Sequence, residues 1–435
     1  MRINLFLLAL VISLPVFSAP KIQHWQTGKG TRVYFVEAHE LPMVDIQLSF
    51  DAGSARDPEG LEGLASFTSS LLSEGADGLG ADELGFQFER LGANFSASAG
   101  DDFASVSLRS LVEKDKLVPA LKNLKRVLNA PDFPEKAIER QRQRYLVGLQ
   151  QKKQSPGAMA NEAFYKEVFA SHPYAHPSDG TEESIRRISR EAILEFHRQY
   201  YVAANGIIAI VGDLTRKQAK KLAEELSSGL QRGKKASPLP AVASLTSASV
   251  IKQDHPSTQT HILLGQPGMK RGDPDYFPLY VGNHILGGSG LVSILFEEIR
   301  EKRALSYSAY SYFSPMREKG AFIAGLSTRA DQADEALRVL RDVISSFIEN
   351  GPAEKALEAA KKNITGGFPL RIDSNSNLLG YATIIGFYNL PLDYLETFND
   401  KVMAVSLDDI KSAMARRIDP DKLVAVMVGP LAGED

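Results

Sequence analysis

Not one of the 435 residues is a cysteine. That excludes disulfides, a lipid-anchored amino-terminal cysteine, cysteine-ligated zinc and a cysteine nucleophile, and it leaves stability to the packed core alone. A dominant charge is lacking too. Lys and Arg number 50 against 53 Asp and Glu, a formal net charge of −3, so there is no basic face for nucleic acid and the near-neutral surface leaves the partner open. Long apolar runs are confined to the start of the chain. Arg2 precedes an almost wholly apolar stretch, residues 5–14, and Val16-Phe17-Ser18 leads into small residues. This pattern predicts a secretory signal peptide over residues 1–19 and export, with a bacterial periplasm as the expected compartment. About ten apolar residues fall well short of the ~20 that cross a bilayer as a helix. No later stretch comes close, so no membrane association is expected.

What is present organises into halves. An apolar content of 43 % over this length is enough for two or more domains with sizeable cores. The run Gln231-Arg232-Gly233-Lys234-Lys235-Ala236-Ser237-Pro238-Leu239-Pro240 mixes charge, Gly and Pro without apolar period, which predicts a linker. The expected division is a first domain at 20–231, a linker at 232–245 and a second domain at 246–435. The halves look alike, as a long internal repeat would. Ile207-Ile208-Ala209-Ile210-Val211-Gly212 and Leu423-Val424-Ala425-Val426-Met427-Val428-Gly429 are apolar strands closed by glycine, each after an amphipathic helix, at 190–200 and 407–416. Each half opens with a strand, Val44-Asp45-Ile46-Gln47-Leu48-Ser49-Phe50 and Thr260-His261-Ile262-Leu263-Leu264, then a glycine-bounded helix. Helical stripes such as Leu117, Leu121, Leu124 and Val127 fill the intervals. The expected fold class is α+β: two duplicated domains, each a mainly antiparallel sheet with helices packed on one face.

The segment at 60–75 is the most specific: Gly60-Leu61-Glu62-Gly63-Leu64-Ala65-Ser66-Phe67-Thr68-Ser69-Ser70-Leu71-Leu72-Ser73-Glu74-Gly75. It resembles the metal-binding helix of the pitrilysin-like, or M16, zinc peptidases, in which two histidines four apart share a zinc and a glutamate between them acts as general base. The resemblance places the histidine positions on Ser66 and Ser70 and the glutamate position on Ser69. A serine hydroxyl is a poor neutral zinc ligand and no base near neutral pH. The family's third ligand, a glutamate some seventy-five residues on, would fall in a helix at 134–153, yet residues 140–161 contain no acidic side chain. The resemblance therefore implies no metal on this chain. It continues through His172-Pro173-Tyr174-Ala175-His176-Pro177, Gly180-Thr181-Glu182-Glu183-Ser184-Ile185, Ile285-Leu286-Gly287-Gly288 and the segment 295–308, and implies the LuxS/MPP-like metallohydrolase fold.

In M16 enzymes an arginine and a tyrosine seven positions apart face the zinc helix from a distant domain, and Arg300 and Tyr307 have that spacing in the matching segment. The resemblance implies that they donate to a peptide carbonyl and its developing oxyanion, chemistry suited to a guanidinium and a phenol. The plainer alternative is a charged helix end and an ordinary half-buried aromatic. An emptied zinc helix beside a retained donor pair is the pattern of the noncatalytic chain in two-chain family members. The implied function is a periplasmic heterodimer with a zinc-bearing M16 homologue, zinc on that partner, and a peptide as substrate. A pure scaffold or peptide-binding protein, or an enzyme with a different site, are the competing readings.

Other motifs carry less. His172 and His176 sit among prolines that predict a loop, where a four-residue spacing has no fixed geometry. Gly287-Gly288-Ser289-Gly290 lacks the Lys-Ser/Thr of a phosphate-binding loop. Ser66, Ser69 and Ser70 have no base or elbow to make them nucleophiles. The strand Ala93-Asn94-Phe95-Ser96-Ala97-Ser98-Ala99 matches where active relatives pair an extended substrate.

Overall fold

Two kinds of strand pattern build the molecule, alternating strands and strands that are apolar throughout, and their positions follow from that difference. The structure, a computed structural model, describes residues 20–430; the expected signal peptide lies outside the described residues. In the first half the strands are β1 (Gln23–Gln26), β2 (Arg32–Glu37), β3 (Met43–Phe50), a two-residue hairpin of β4 (Gly75–Ala76) and β5 (Leu79–Gly80), β6 (Asn94–Ala99), β7 (Ala104–Leu111) and β8 (Gly206–Gly212). Six of them form one sheet in the order β1-β2-β8-β3-β7-β6, antiparallel except for the β2–β8 pair.

The second half contributes β9 (Ser249–Asp254), β10 (Thr260–Pro267), β11 (Ala309–Phe313), β12 (Ala321–Thr328) and β13 (Val424–Gly429). They form a sheet in the order β11-β12-β10-β13-β9, again with one parallel pair, β13–β9. Reading β2-β8-β3-β7-β6 beside β9-β13-β10-β12-β11 gives the same path, so the duplication inferred from sequence is a duplication of topology. Residues between the helix Arg216–Gly229 and β9 are irregular.

One face of each sheet carries its own helices. In the first half Leu64, Phe67 and Leu71, the stripe Leu117, Leu121, Leu124 and Val127, and Ile193 and Phe196 pack on Val44, Ile46, Leu48, Ile208 and Ile210. The other face is covered by a helix from the opposite half. Helix Asn375–Tyr388 lies on β2, β3 and β8. Its residues Leu378, Leu379, Ala382, Thr383, Ile385, Gly386 and Phe387 are all buried, the all-round apolar character of a helix held between layers. Reciprocally, helix Pro156–Phe169 lies on β10 and β13, with Ala160, Phe164 and Val168 against Leu263, Val424, Val426 and Val428. Gly386 permits the close crossing, because a Cβ there would lie 2.5 Å from the Tyr34 ring.

Candidate functional site

Helix Leu64–Leu71 is held at its start by a carboxylate outside it. Asp57 accepts from the Gly63 and Ala65 amides at 2.7 and 2.8 Å, complementing the positive end of the helix. Burial pushes its carboxyl up to about 8 against the pull of those amides. Along the helix the three serines have ordinary structural surroundings. Ser70 Oγ donates to the Phe67 carbonyl of its own helix at 2.7 Å. Ser69 is 1 % exposed, and its buried hydroxyl faces that of Tyr201, whose phenol burial pushes up and the Ser69 hydroxyl partly offsets. Ser66 is half-buried.

The helix Glu135–Lys152, which the resemblance makes the source of a third metal ligand, turns Tyr145 toward the serine helix. Its ring meets Phe67 edge-on at 5.2 Å, and burial pushes its phenol up to about 12, offset in part by the Ser70 hydroxyl. Arg142 lies over the same Phe67 ring at 5.9 Å. Neutral hydroxyls, a high-pKa phenol and a guanidinium do not make a zinc donor set. Among the described residues no group of three His, Cys, Asp or Glu is placed to hold a metal ion. The zinc implied by the family's chemistry does not fit these residues.

Arg300 and Tyr307 stand together in the second half. The chain there runs from a single helical turn, Ile294–Phe296, into a π-helical turn, Glu297–Glu301, an irregular backbone often found where function re-aims a side chain. Arg300 donates to the Tyr307 carbonyl at 3.3 Å and lies 4.9 Å over the Phe296 ring and 6.0 Å over the Tyr307 ring. Among the described residues no carboxylate pairs with it. Tyr307 precedes β11 and is 82 % exposed, so the half-buried aromatic of the plainer reading is not what the structure shows. No hydrogen bond or ion pair among the described residues joins this pair to the serine helix, which lies in the other half.

The remaining candidates resolve simply. His172 accepts from the Tyr174 amide through Nδ1 at 3.1 Å and donates Nε2–H to the Pro240 carbonyl at 2.9 Å. It pins the interdomain segment and, with both nitrogens engaged, has none left for a metal. Gly287 and Gly288 end a π turn that a short 3-10 turn, Gly290–Val292, follows, as a tight turn requires. β6 is an edge strand with alternate residues exposed, open to a further strand.

Sequence reasoning missed the junction between the halves. Asp102, 5 % exposed, accepts from the Tyr174 hydroxyl at 2.6 Å, the Tyr388 hydroxyl at 2.7 Å and the Arg317 amide at 2.7 Å. Beside it Asp51 receives Arg56 at 2.7 Å and Arg317 at 3.2 Å. The only signal was the adjacent Asp101-Asp102 in a loop between strands.

Comparison with known proteins adds to this geometry. A family profile described as "Insulinase (Peptidase family M16)" matches residues 32–182, and one described as "Peptidase M16 inactive domain" matches 187–364. The solved peptidase M16 inactive domain from Pseudomonas fluorescens is 39 % identical, covering 95 % of this chain and 99 % of its own, with a TM-score of 0.92. The chain belongs to the M16 peptidase family. Within that family it is similar to the non-peptidase homolog YmxG of Helicobacter pylori, 26 % identical over 97 % of this chain and 98 % of that protein. A protease of Helicobacter pylori shares the M16 fold at a TM-score of 0.87 with 18 % identity, covering 94 % of this chain and all of the other. The protein is an inactive homologue on the M16 fold.

Proposed function

We propose that this protein is the noncatalytic, substrate-contacting chain of a two-chain M16 peptidase that works in the periplasm with a zinc-bearing M16 homologue. The observation that carries the reading is the Arg300–Tyr307 unit. The guanidinium, exposed and with no carboxylate partner among the described residues, stands beside a phenol that is 82 % exposed, so both present their donors to an incoming group. The two side chains offer several N–H donors and an O–H donor, which suit a peptide carbonyl that gains negative charge as water adds to it. The metal and its activated water come from the partner; this chain supplies an opposing wall and, through β6, an exposed strand edge that an extended peptide can extend.

The test mixes the purified chain with a zinc-bearing homologue and follows cleavage of a fluorogenic peptide. Activity is expected only in the mixture, with kcat falling about a hundredfold in Arg300→Ala while the two chains still co-elute. Full activity of the zinc chain alone, or an Arg300→Ala mixture as active as the wild type, sinks the proposal.

A further inference from the structure

Away from the serine helix and from Arg300 and Tyr307, the second half holds a cavity of about 310 Å³. Its walls are Tyr276 and Phe277 at the start of helix Tyr276–Asn283, Leu390 just beyond helix Asn375–Tyr388, and Tyr394 at the start of helix Tyr394–Ala404. The rings interlock: Tyr276 meets Phe277 at 5.3 Å edge-on, and Phe277 meets Tyr394 at 6.2 Å. Gly272, with φ +75°, turns the backbone past Leu390 at its border. The result is an aromatic cup of the size that encloses a small ligand or one large residue.

Two cations line this cup and neither has a counter-ion among the described residues. The Arg271 guanidinium lies 5.6 Å over the Tyr388 ring, and its Nε is buried without a hydrogen bond. The Lys401 ammonium lies 5.7 Å over the Phe277 ring. The one acid at the cavity, Asp273, is already engaged: it accepts from Arg417 at 2.7 Å and from the Asp275 amide at 2.9 Å. An apolar interior with uncompensated positive charge selects a ligand that is apolar and anionic at once. Phosphates and sugars lack the apolar part, and amines carry the wrong charge.

We propose that this cavity binds the carboxy-terminal residue of a peptide, taking an apolar side chain into the aromatic cup and the free carboxylate against Arg271 and Lys401. Arg pairs with carboxylates through two parallel N–H donors, and the low-dielectric surroundings strengthen the pair. The site shares no residue with the Arg300–Tyr307 unit and stands or falls separately from its role.

The experiment titrates the full chain with a fluorescein-labelled hexapeptide ending in phenylalanine, as the free acid and as the carboxy-terminal amide, followed by anisotropy. The free acid is expected to bind saturably and at least about tenfold more tightly than the amide. Lys401→Gln and Arg271→Gln should each remove most of that preference, with circular dichroism unchanged. Lys401 is a partly exposed side chain, so its variant keeps the test informative if Arg271→Gln disturbs the nearby junction. Equal binding of acid and amide, no saturable binding of either, or an acid preference that survives in both folded variants overturns the proposal.

Discussion

Replacing Asp102 by alanine should loosen the junction of the two halves more than any surface change. The carboxylate is nearly inaccessible and accepts three hydrogen bonds, from the Tyr174 and Tyr388 phenols and the Arg317 amide. Tyr174 belongs to the first half, and Tyr388 and Arg317 to the second, so one residue gathers donors from both. Alanine strands the Tyr388 phenol and the Arg317 amide at a site with little water, and leaves the Tyr174 hydroxyl without an acceptor for its proton although its oxygen still accepts from the Glu318 amide at 3.2 Å. Each unsatisfied buried group costs about 1–3 kcal/mol. The phenols relax more easily than the amide, so the expected loss is about 3–5 kcal/mol, or roughly 3–6 °C in Tm for a chain of this size. Asparagine keeps one acceptor oxygen and should lose about half as much. The assay is urea unfolding followed by far-UV circular dichroism, with the single tryptophan, Trp25, reporting the first half. Both probes should report the same lowered midpoint, because the crossing helices Pro156–Phe169 and Asn375–Tyr388 keep the cores continuous. A loss below about 1 kcal/mol for Asp102→Ala, or an asparagine variant no better than alanine, would refute the assignment of the junction to this carboxylate.

Two further outcomes follow from packing and protonation. His197 sits between Phe133 and Tyr201, with rings at 5.7 and 4.8 Å, and burial lowers its imidazole to about 4. The neutral form is the native one, so stability is complete above the ordinary histidine value near 6.5 and falls as pH drops through 6.5 toward 4, by on the order of 3 kcal/mol. A His197→Phe variant whose stability between pH 7 and pH 4 declines as steeply as the wild type contradicts this. Gly386→Ala should lower Tm despite alanine's better helix propensity, because the added methyl meets Tyr34 at 2.5 Å and Ile207 at 2.9 Å; overpacking of that kind costs about 1–3 kcal/mol. An unchanged or raised Tm would mean that the crossing helix can shift on its sheet.

Much of the fold was legible in the residues, and the rest was hidden for an identifiable reason. Alternation in Val44-Asp45-Ile46-Gln47-Leu48-Ser49-Phe50 reads as a strand with one strongly apolar face, and the structure places β3 there. The uninterrupted apolar runs at 207–211 and 424–428 say that both faces are buried, and they are: Ile208 and Ile210 meet their own helices while Ile207, Ala209 and Val211 meet the core shared with the second half. What covers the second face is not written locally. Helix Asn375–Tyr388 is apolar all round, which announces burial between layers but not in which half, and the helix Pro156–Phe169 looks like any other amphipathic segment. Contacts separated by hundreds of residues leave no periodicity. The same limit hid Asp102, whose donors lie 72, 215 and 286 positions away.

The candidate site divides along the same line. The loss of zinc chemistry was readable because a metal helix needs particular residue types at fixed spacing, and serine at 66, 69 and 70 fails on chemistry alone. The structure adds how that face is filled: Tyr145 packs edge-on against Phe67 of the serine helix, and Ser70 turns its hydroxyl back to its own helix. Arg300 and Tyr307 were readable only as a spacing. Arg300 lies in a π-helical turn that no propensity announces, and its exposure, that of Tyr307 and the lack of an ion pair to Arg300 among the described residues could not be read from the spacing. Serine at 66, 69 and 70 together with exposed donors at Arg300 and Tyr307 is the combination on which the proposed work against a metal-bearing partner rests.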